Sequence, residues 1–215
     1  MARRRNTTDA EILEVARACF LEHGAGVSTT VIAERLGISH GVLFQRFGTK
    51  QQLLLAALLP SPAQPWLALV RAGPDERDVR AQLFELAEEI SDYLERIVPA
   101  LAVLRSAGHP EESAAERRED LPPLRARREV AAWFARAVER GLLRRVPPEQ
   151  AADLFLGALQ FRPFHHHLSG QGFERAESRA FRELVVDTIV CALDPAIADG
   201  RHDSRCVEPA KEWRS

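Results

Sequence analysis

The sequence predicts an all-α chain, with an N-terminal helix-turn-helix domain, a helical C-terminal body and about nine helices in all. Three observations predict it. Residues 28–54 read as two short amphipathic helices joined by a glycine turn. From Asp75 onward, apolar residues recur in long runs at helical spacing. The apolar/polar alternation of a strand is not found, and neither is an internal repeat.

The elements follow in order. Thr8 and Glu11 form a capping box that opens the first helix. Ile12, Val15, Ala16, Cys19 and Phe20 make its apolar stripe, and Gly24 ends it. Ser28 is the N-cap of the second helix, on which Ile32, Ala33 and Leu36 share a face. Gly37 supplies the left-handed corner that stops it. Ile38 plugs the hinge, Ser39 caps the third helix, and Leu43 and Phe47 lie on its buried side. A fourth helix starts at Lys50 and runs to Leu59, where Pro60, Pro62 and Pro65 break the chain between reader and body. Trp66 to Arg71 adds one or two helical turns. Val79, Leu83, Leu86, Ile90, Tyr93, Leu94 and Ile97 mark one long helix ending at Pro99, with a shorter one from Pro99 to Ser106. Residues 107–120 read as a loop. Leu121 to Leu143 is helical, with Val130, Phe134, Ala137 and Val138 inward. Pro147-Pro148-Glu149 opens a helix reaching His167 with Pro163 inside it, Ser169 to Gly172 is a turn, and Glu174 to Leu193 is the last helix. The domains expected are therefore residues 1–54 and 66–195, with a polar, disordered tail at 196–215.

The third helix leaves His40, Gly41, Val42, Gln45 and Arg46 facing outward. A short helix carrying small and polar groups, pinned at an angle by a glycine turn, is suited to a DNA major groove. The charge divides accordingly. Residues 1–50 hold seven Lys/Arg against five Asp/Glu, whereas the remainder holds 22 against 26, so the basic excess lies with the reader and its Arg3-Arg4-Arg5 arm.

The same stretch resembles the DNA-binding domain of TetR/AcrR-type one-component regulators. The likeness is carried by Ile12, Ala16, Phe20 and Gly24, by Ile32-Ala33 and Leu36-Gly37-Ile38-Ser39, and by Leu43-Phe44, Phe47, Lys50 and Leu53-Leu54. It covers about the first quarter of the chain, and the set is specific although no single residue is. The resemblance implies that the third helix reads a double-stranded DNA operator, with His40, Gly41, Val42 and Phe44 at base and methyl contacts. It implies phosphate contacts at Ser28, Thr29, Arg46 and Lys50, with Thr30 facing base edges; Ser39 and Gln45 complete the expected surface. Two departures stand out. The family usually has Tyr where Phe44 stands, which removes one hydroxyl bond to phosphate. It often has Lys or Arg where His40 stands, which weakens binding or makes it pH-sensitive.

The last two helices are apolar on more than one face. In a body this small the second face is expected to meet another copy, through Phe155, Leu159, Leu184, Val186, Ile189 and Val190, as a two-fold four-helix homodimer interface. A dimer also answers the reader's need, since it places two recognition helices in successive major grooves. The resemblance further implies a pocket in the body for a small-molecule effector. Walls of Phe84, Tyr93, Trp133, Phe134 and Phe155 favour an apolar or aromatic one.

Other classes find little support. The apolar stretches at 153–161 and 184–193 are too short to span a bilayer, so no membrane role is expected. The basic start leads into an amphipathic helix without an apolar signal core, and Cys19, Cys191 and Cys206 show no pairing or metal spacing; both fit a cytoplasmic, reducing compartment. No nucleophile elbow, phosphate loop, zinc signature or nucleotide fingerprint occurs, so no catalytic residue, cofactor or enzyme activity is expected. His165-His166-His167 point about 100° apart on a helix and read as structural, not as a metal site. Glu85, Glu88, Glu89 and Asp92, and the arginines of 117–128, read as solvated faces. The expectation is a dimeric, ligand-responsive transcriptional regulator, a repressor. The alternative is a small-molecule-binding protein or enzyme whose helix-turn-helix no longer binds DNA.

Overall fold

The computed structural model describes residues 7–59, 64–107, 122–170, 172 and 174–198. Among them are nine helices of eight residues or more and no strand. These are α1 (Asp9–His23), α2 (Thr29–Leu36), α3 (His40–Phe47), α4 (Lys50–Leu58), α5 (Pro65–Ala72), α6 (Val79–Ser106), α7 (Pro122–Glu139), α8 (Pro148–Ser169) and α9 (Arg175–Ala192), followed by a single turn at Pro195–Ala198. The all-α expectation holds. The readings of the basic arm, the Pro60–Pro62 break, the 107–120 loop with Arg117 and Arg118, Cys206 and most of the polar tail lie outside the described residues.

The chain divides into two compact units, one of Met1–Pro62 with Glu95–Ser113 and the other of Ala63–Leu94 with Ala114–Ser215. The first unit is α1 to α4 wrapped on one core of Ile12, Ala16, Cys19, Phe20, Ile32, Leu43, Leu53 and Leu58. Local signals set its helices. Thr8 and Glu11 close the capping box of α1, and Thr49 with Gln52 closes a second one on α4. Gly37 is left-handed at φ 66°, ψ 30°, and its N–H donates to the Ala33 and Glu34 carbonyls.

Two boundaries are corrected: α7 ends at Glu139, short of the expected Leu143, and α6 is longer than expected. Pro99 does not end its helix: α6 runs through it from Val79 to Ser106. A mid-helix proline loses one hydrogen bond and costs about 3 kcal/mol, so packing must offset it. Ala100 and Leu104, just beyond the proline, are buried in the core of the first unit. The second unit packs α5, the start of α6, α7, α8 and α9 around Leu83, Leu86, Ile90, Val130, Phe134, Phe155, Leu159, Val186 and Ile189. Ion pairs lace its surface: Arg80 to Asp187 at 2.5 Å, Arg127 to Asp153 at 2.5 Å and Arg71 to Glu129 at 2.8 Å. Cys19 is a free buried thiol and Cys191 is disulfide-bonded, a pairing that the cysteine spacing does not signal.

Two sets of expected residues are relocated by burial. Phe155, Leu159, Val186 and Ile189 are buried within their own chain, and Val190 is half-buried. A side chain without accessible surface has none to give a partner, so those four are core, and Leu184 alone of the six is exposed. The unpartnered apolar face lies elsewhere on the same helices. Leu154, Phe161, Phe164, Leu168 and Leu184 are each 48–69% exposed. On α8 the first four, with exposed Gly157, recur at the alternating three- and four-residue steps of a coiled-coil seam. The aromatic residues expected to line a pocket behave similarly. Phe134 packs edge-on against Trp133 and Phe155, at centroid distances of 5.5 and 5.9 Å. All three are buried, and Phe134 and Phe155 have no accessible surface, so they border no water-sized void. Phe84 is half-buried under the Arg179 guanidinium, 5.5 Å from its ring centroid.

Candidate nucleic-acid interface

The N-terminal ends of α2, α3 and α4 carry the expected surface. Ser28 precedes α2 and accepts the Thr30 N–H at 3.2 Å, which leaves Thr30 exposed beside it. Ser39 occupies the N-cap position of α3 but makes no capping hydrogen bond. Its hydroxyl and the His40 and Gly41 N–H groups are available to an anion, while the Val42 N–H donates to the Ser39 carbonyl at 3.0 Å. Behind them His40, Gly41, Phe44, Gln45 and Arg46 are exposed and Val42 is half-exposed, while Leu43 turns into the core. The outward face is the one the sequence predicts.

Three members of that surface are engaged within the fold, and sequence reasoning missed all three ties. Thr29 is buried, and its hydroxyl shares a 2.7 Å hydrogen bond with His40 Nε2. One hydrogen bond of the hydroxyl expected to meet phosphate is therefore made inside the fold. His40 is held on two sides, by Thr29 and by the Phe44 ring at a centroid distance of 4.4 Å. It braces the start of α3 and keeps Nδ1 for an outside partner. Arg46 reaches back to the N-terminus of α1, donating to the Thr7 carbonyl and, at 3.0 Å, to Asp9 Oδ1. Both bonds use Nη1, so the Nε and Nη2 donors are left for a phosphate. Lys50, at the start of α4, forms no ion pair among the described residues and is the unencumbered cation of the set. Partners 11 and 37 residues apart in sequence leave no periodic signal, which is why these pairs are not legible in it.

Beneath the surface, Arg17 of α1 organises the unit. Its guanidinium donates to the Ala57 and Leu58 carbonyls at the end of α4, each at 3.3 Å, and to the Arg96 carbonyl of α6. Partial burial, and then the charge of Arg96, lower its pKa from the ordinary guanidinium value. A cation at a helix C-terminus satisfies carbonyls that no intrahelical donor reaches. The carbonyls around a proline are similarly open to outside donors, and Arg96 lies three residues before Pro99.

Among the described residues the arrangement offers hydrogen-bond donors, the Lys50 cation and a small-residue face. Among the described residues no group of three or more His, Cys, Asp or Glu is placed to hold a metal ion. No helix among them is long and apolar enough to cross a membrane.

Comparison with known proteins agrees with this geometry. Residues 12–57 match the family of bacterial regulatory proteins called the tetR family, and residues 81–193 match the C-terminal domain of AefR-like transcriptional repressors. The HTH-type transcriptional repressors AcnR of Corynebacterium efficiens and Corynebacterium glutamicum are each 49% identical over 47 residues, which is 21% of this chain and a quarter (25%) of theirs. In fold, a TetR-family transcriptional regulator from Mesorhizobium loti superposes with a TM-score of 0.67 at 20% identity, covering 90% of this chain and 100% of that one. The regulator PfmR from Thermus thermophilus superposes with a TM-score of 0.58 at 24% identity, covering 84% and 96%.

Proposed function

We infer that this chain, which belongs to the tetR family of bacterial regulatory proteins, is a dimeric repressor that binds a DNA operator and is released by a small, largely apolar ligand. The observation that carries the reading is the outward face of α3. Ser39, Gly41 and Gln45 are exposed there without a role in the fold, next to an unpaired Lys50. Groups that a fold does not use, gathered at one helix and of a kind that suits phosphates and base edges, mark a recognition surface.

The dimer is proposed to form through Leu154, Phe161, Phe164, Leu168 and Leu184. An apolar seam of this extent is unfavourable in water and fits a second copy across a two-fold axis. Gly157 in the middle of the seam has nothing within 4 Å of where a Cβ would sit, so it lets helices approach closely. Ligand release follows from two conformations of differing operator affinity, with the ligand favouring the weaker one. The cytoplasm is the compartment in which such a protein meets DNA.

A mobility-shift assay with the DNA upstream of the protein's own coding sequence tests the reading. Sequence-specific retardation at nanomolar protein, resistant to excess unrelated DNA, is the expected result. Equal affinity for the upstream region and for unrelated DNA, or for neither, overturns it.

A further inference from the structure

His40 opens α3 on the outward face, and the fold fixes its imidazole in two ways. Its Nε2 lies 2.7 Å from the Thr29 hydroxyl of α2. Its ring lies against the Phe44 ring one helical turn on, with centroids 4.4 Å apart and planes tilted by 53°. The exposed imidazole therefore has a set position and a set plane. Its second nitrogen, Nδ1, makes no hydrogen bond among the described residues.

The Thr29 hydroxyl decides which nitrogen carries the proton. Thr29 is buried, at 7% exposure, and His40 Nε2 is the sole partner of its hydroxyl among the described residues. A buried O–H with one partner satisfies its proton only by donating to it, and a buried donor left unmet is costly. Nε2 is then the acceptor. In a neutral imidazole one nitrogen accepts and the other donates, so Nδ1 carries the hydrogen. Protonation of the ring leaves that N–H in place, since both nitrogens then donate.

We propose that His40 reads a guanine in each half-site, donating from Nδ1–H to N7 in the major groove, and that Thr29 is a positioning residue that holds His40 in the donating tautomer. Guanine sets a second acceptor, O6, beside N7. Adenine sets an amino donor beside its N7, thymine sets a methyl group beside its O4, and cytosine offers only its amino donor. A fixed N–H therefore ranks guanine first and cytosine last. A histidine free to change tautomer accepts as readily as it donates and makes no such choice. This inference rests on the reading of the protein as a DNA-binding regulator and names the base that its recognition helix selects.

Selection from a pool of random duplexes with the wild-type protein, followed by fluorescence anisotropy on the selected duplex, is the test. Each guanine of that duplex is replaced in turn by 7-deazaguanine, which has C–H in place of N7 and keeps its Watson–Crick pairing. At one guanine per half-site the replacement is expected to weaken wild-type binding about fivefold, the worth of one hydrogen bond. Thr29→Val keeps the shape and removes the hydroxyl, so the loss should shrink to about twofold or less, and Thr29→Ser should restore it. The ratio of the two affinities is the readout, because a purely structural role of Thr29 lowers both and leaves the ratio unaltered. His40→Ala should abolish the same sensitivity, which keeps the test decisive if circular dichroism finds Thr29→Val unfolded. No guanine sensitive at N7, a ratio unaltered in folded Thr29→Val or in His40→Ala, or one that Thr29→Ser does not restore each overturns the proposal. The two readings fail separately. An enriched duplex without an N7-sensitive guanine sinks this inference alone, whereas a pool that shows no enrichment sinks the DNA-binding reading.

Discussion

Gly41→Ala is expected to stabilise the protein and weaken its binding to DNA. Gly41 is the second residue of α3, exposed, and is not among the glycines with positive φ. A Cβ built on it meets only Ser39 Oγ, at 3.9 Å, an ordinary contact. The backbone therefore does not require glycine there, and glycine within a helix is less favourable than alanine by roughly 0.5–1 kcal/mol. Because Gly41 lies in the first turn, the gain should be at the lower end, about 0.5 kcal/mol, read as a raised denaturant midpoint at unchanged slope. The same methyl group points outward from the face proposed to enter the groove. If a base edge or sugar closes on Gly41, the complex must move apart and forfeit contacts worth about 1–3 kcal/mol per half-site. Fluorescence anisotropy on a labelled operator would show this as a loss of about tenfold or more. Opposite signs in the two assays are the signature. Unchanged operator affinity would place Gly41 away from the DNA, and a lowered midpoint would mean that the fold itself needs the glycine.

Three further outcomes are expected. Lys50→Ala should weaken binding to all sequences alike and reduce the slope of log affinity against log salt by about one per half-site, measured by anisotropy across a salt series; an unaltered slope removes Lys50 from the phosphate contacts. Phe161→Glu should leave a folded, helical chain that sediments as a monomer, since that side chain is 58% exposed, whereas Val186→Glu should unfold the chain by burying an unpaired charge; sedimentation with circular dichroism separates the two, and a Phe161→Glu dimer of wild-type affinity would remove the α8 seam from the interface. Burial raises the Tyr93 pKa from 10.0 to about 12, so the folded state holds this proton more tightly than the unfolded one. The resulting stability, on the order of 2 kcal/mol, is fully present below about pH 10 and lost as pH rises to about 12; Tyr93→Phe should flatten that part of the pH-stability profile, and an identical profile in both proteins would contradict the assignment.

The reader was legible because its signals are local. Thr8 with Glu11, Ser28, and Gly37 act within one turn of themselves, so their caps and corner follow from residue order alone. What escaped is non-local. Arg17 and Arg96 are 79 residues apart in sequence, and Arg46 and Asp9 are 37 apart. No periodicity reveals that one guanidinium caps α4 or that another folds back on α1. The Thr29–His40 bond spans two helices whose angle had to be known first. Pro99 misled for the opposite reason. Its local cost is real, but burial of Ala100 and Leu104 outweighs it, and tertiary packing overrides a local breaker. The dimer face shows a third limit. On a helix apolar on several sides, neighbours such as Leu154 and Phe155 point about 100° apart, and pattern alone does not say which one meets its own core.

Hydroxyl-radical footprinting of the wild-type protein on its own upstream DNA tests the central claim most directly. Two exposed α3 helices carried by a two-fold dimer predict a pair of symmetry-related protected patches, their centres separated by about one helical turn, roughly 10–10.5 base pairs, or a multiple of it. Both patches should disappear together when the dimer is broken by Phe161→Glu. A single asymmetric patch, uniform protection along the fragment, or two patches that persist in the monomeric variant would contradict the account.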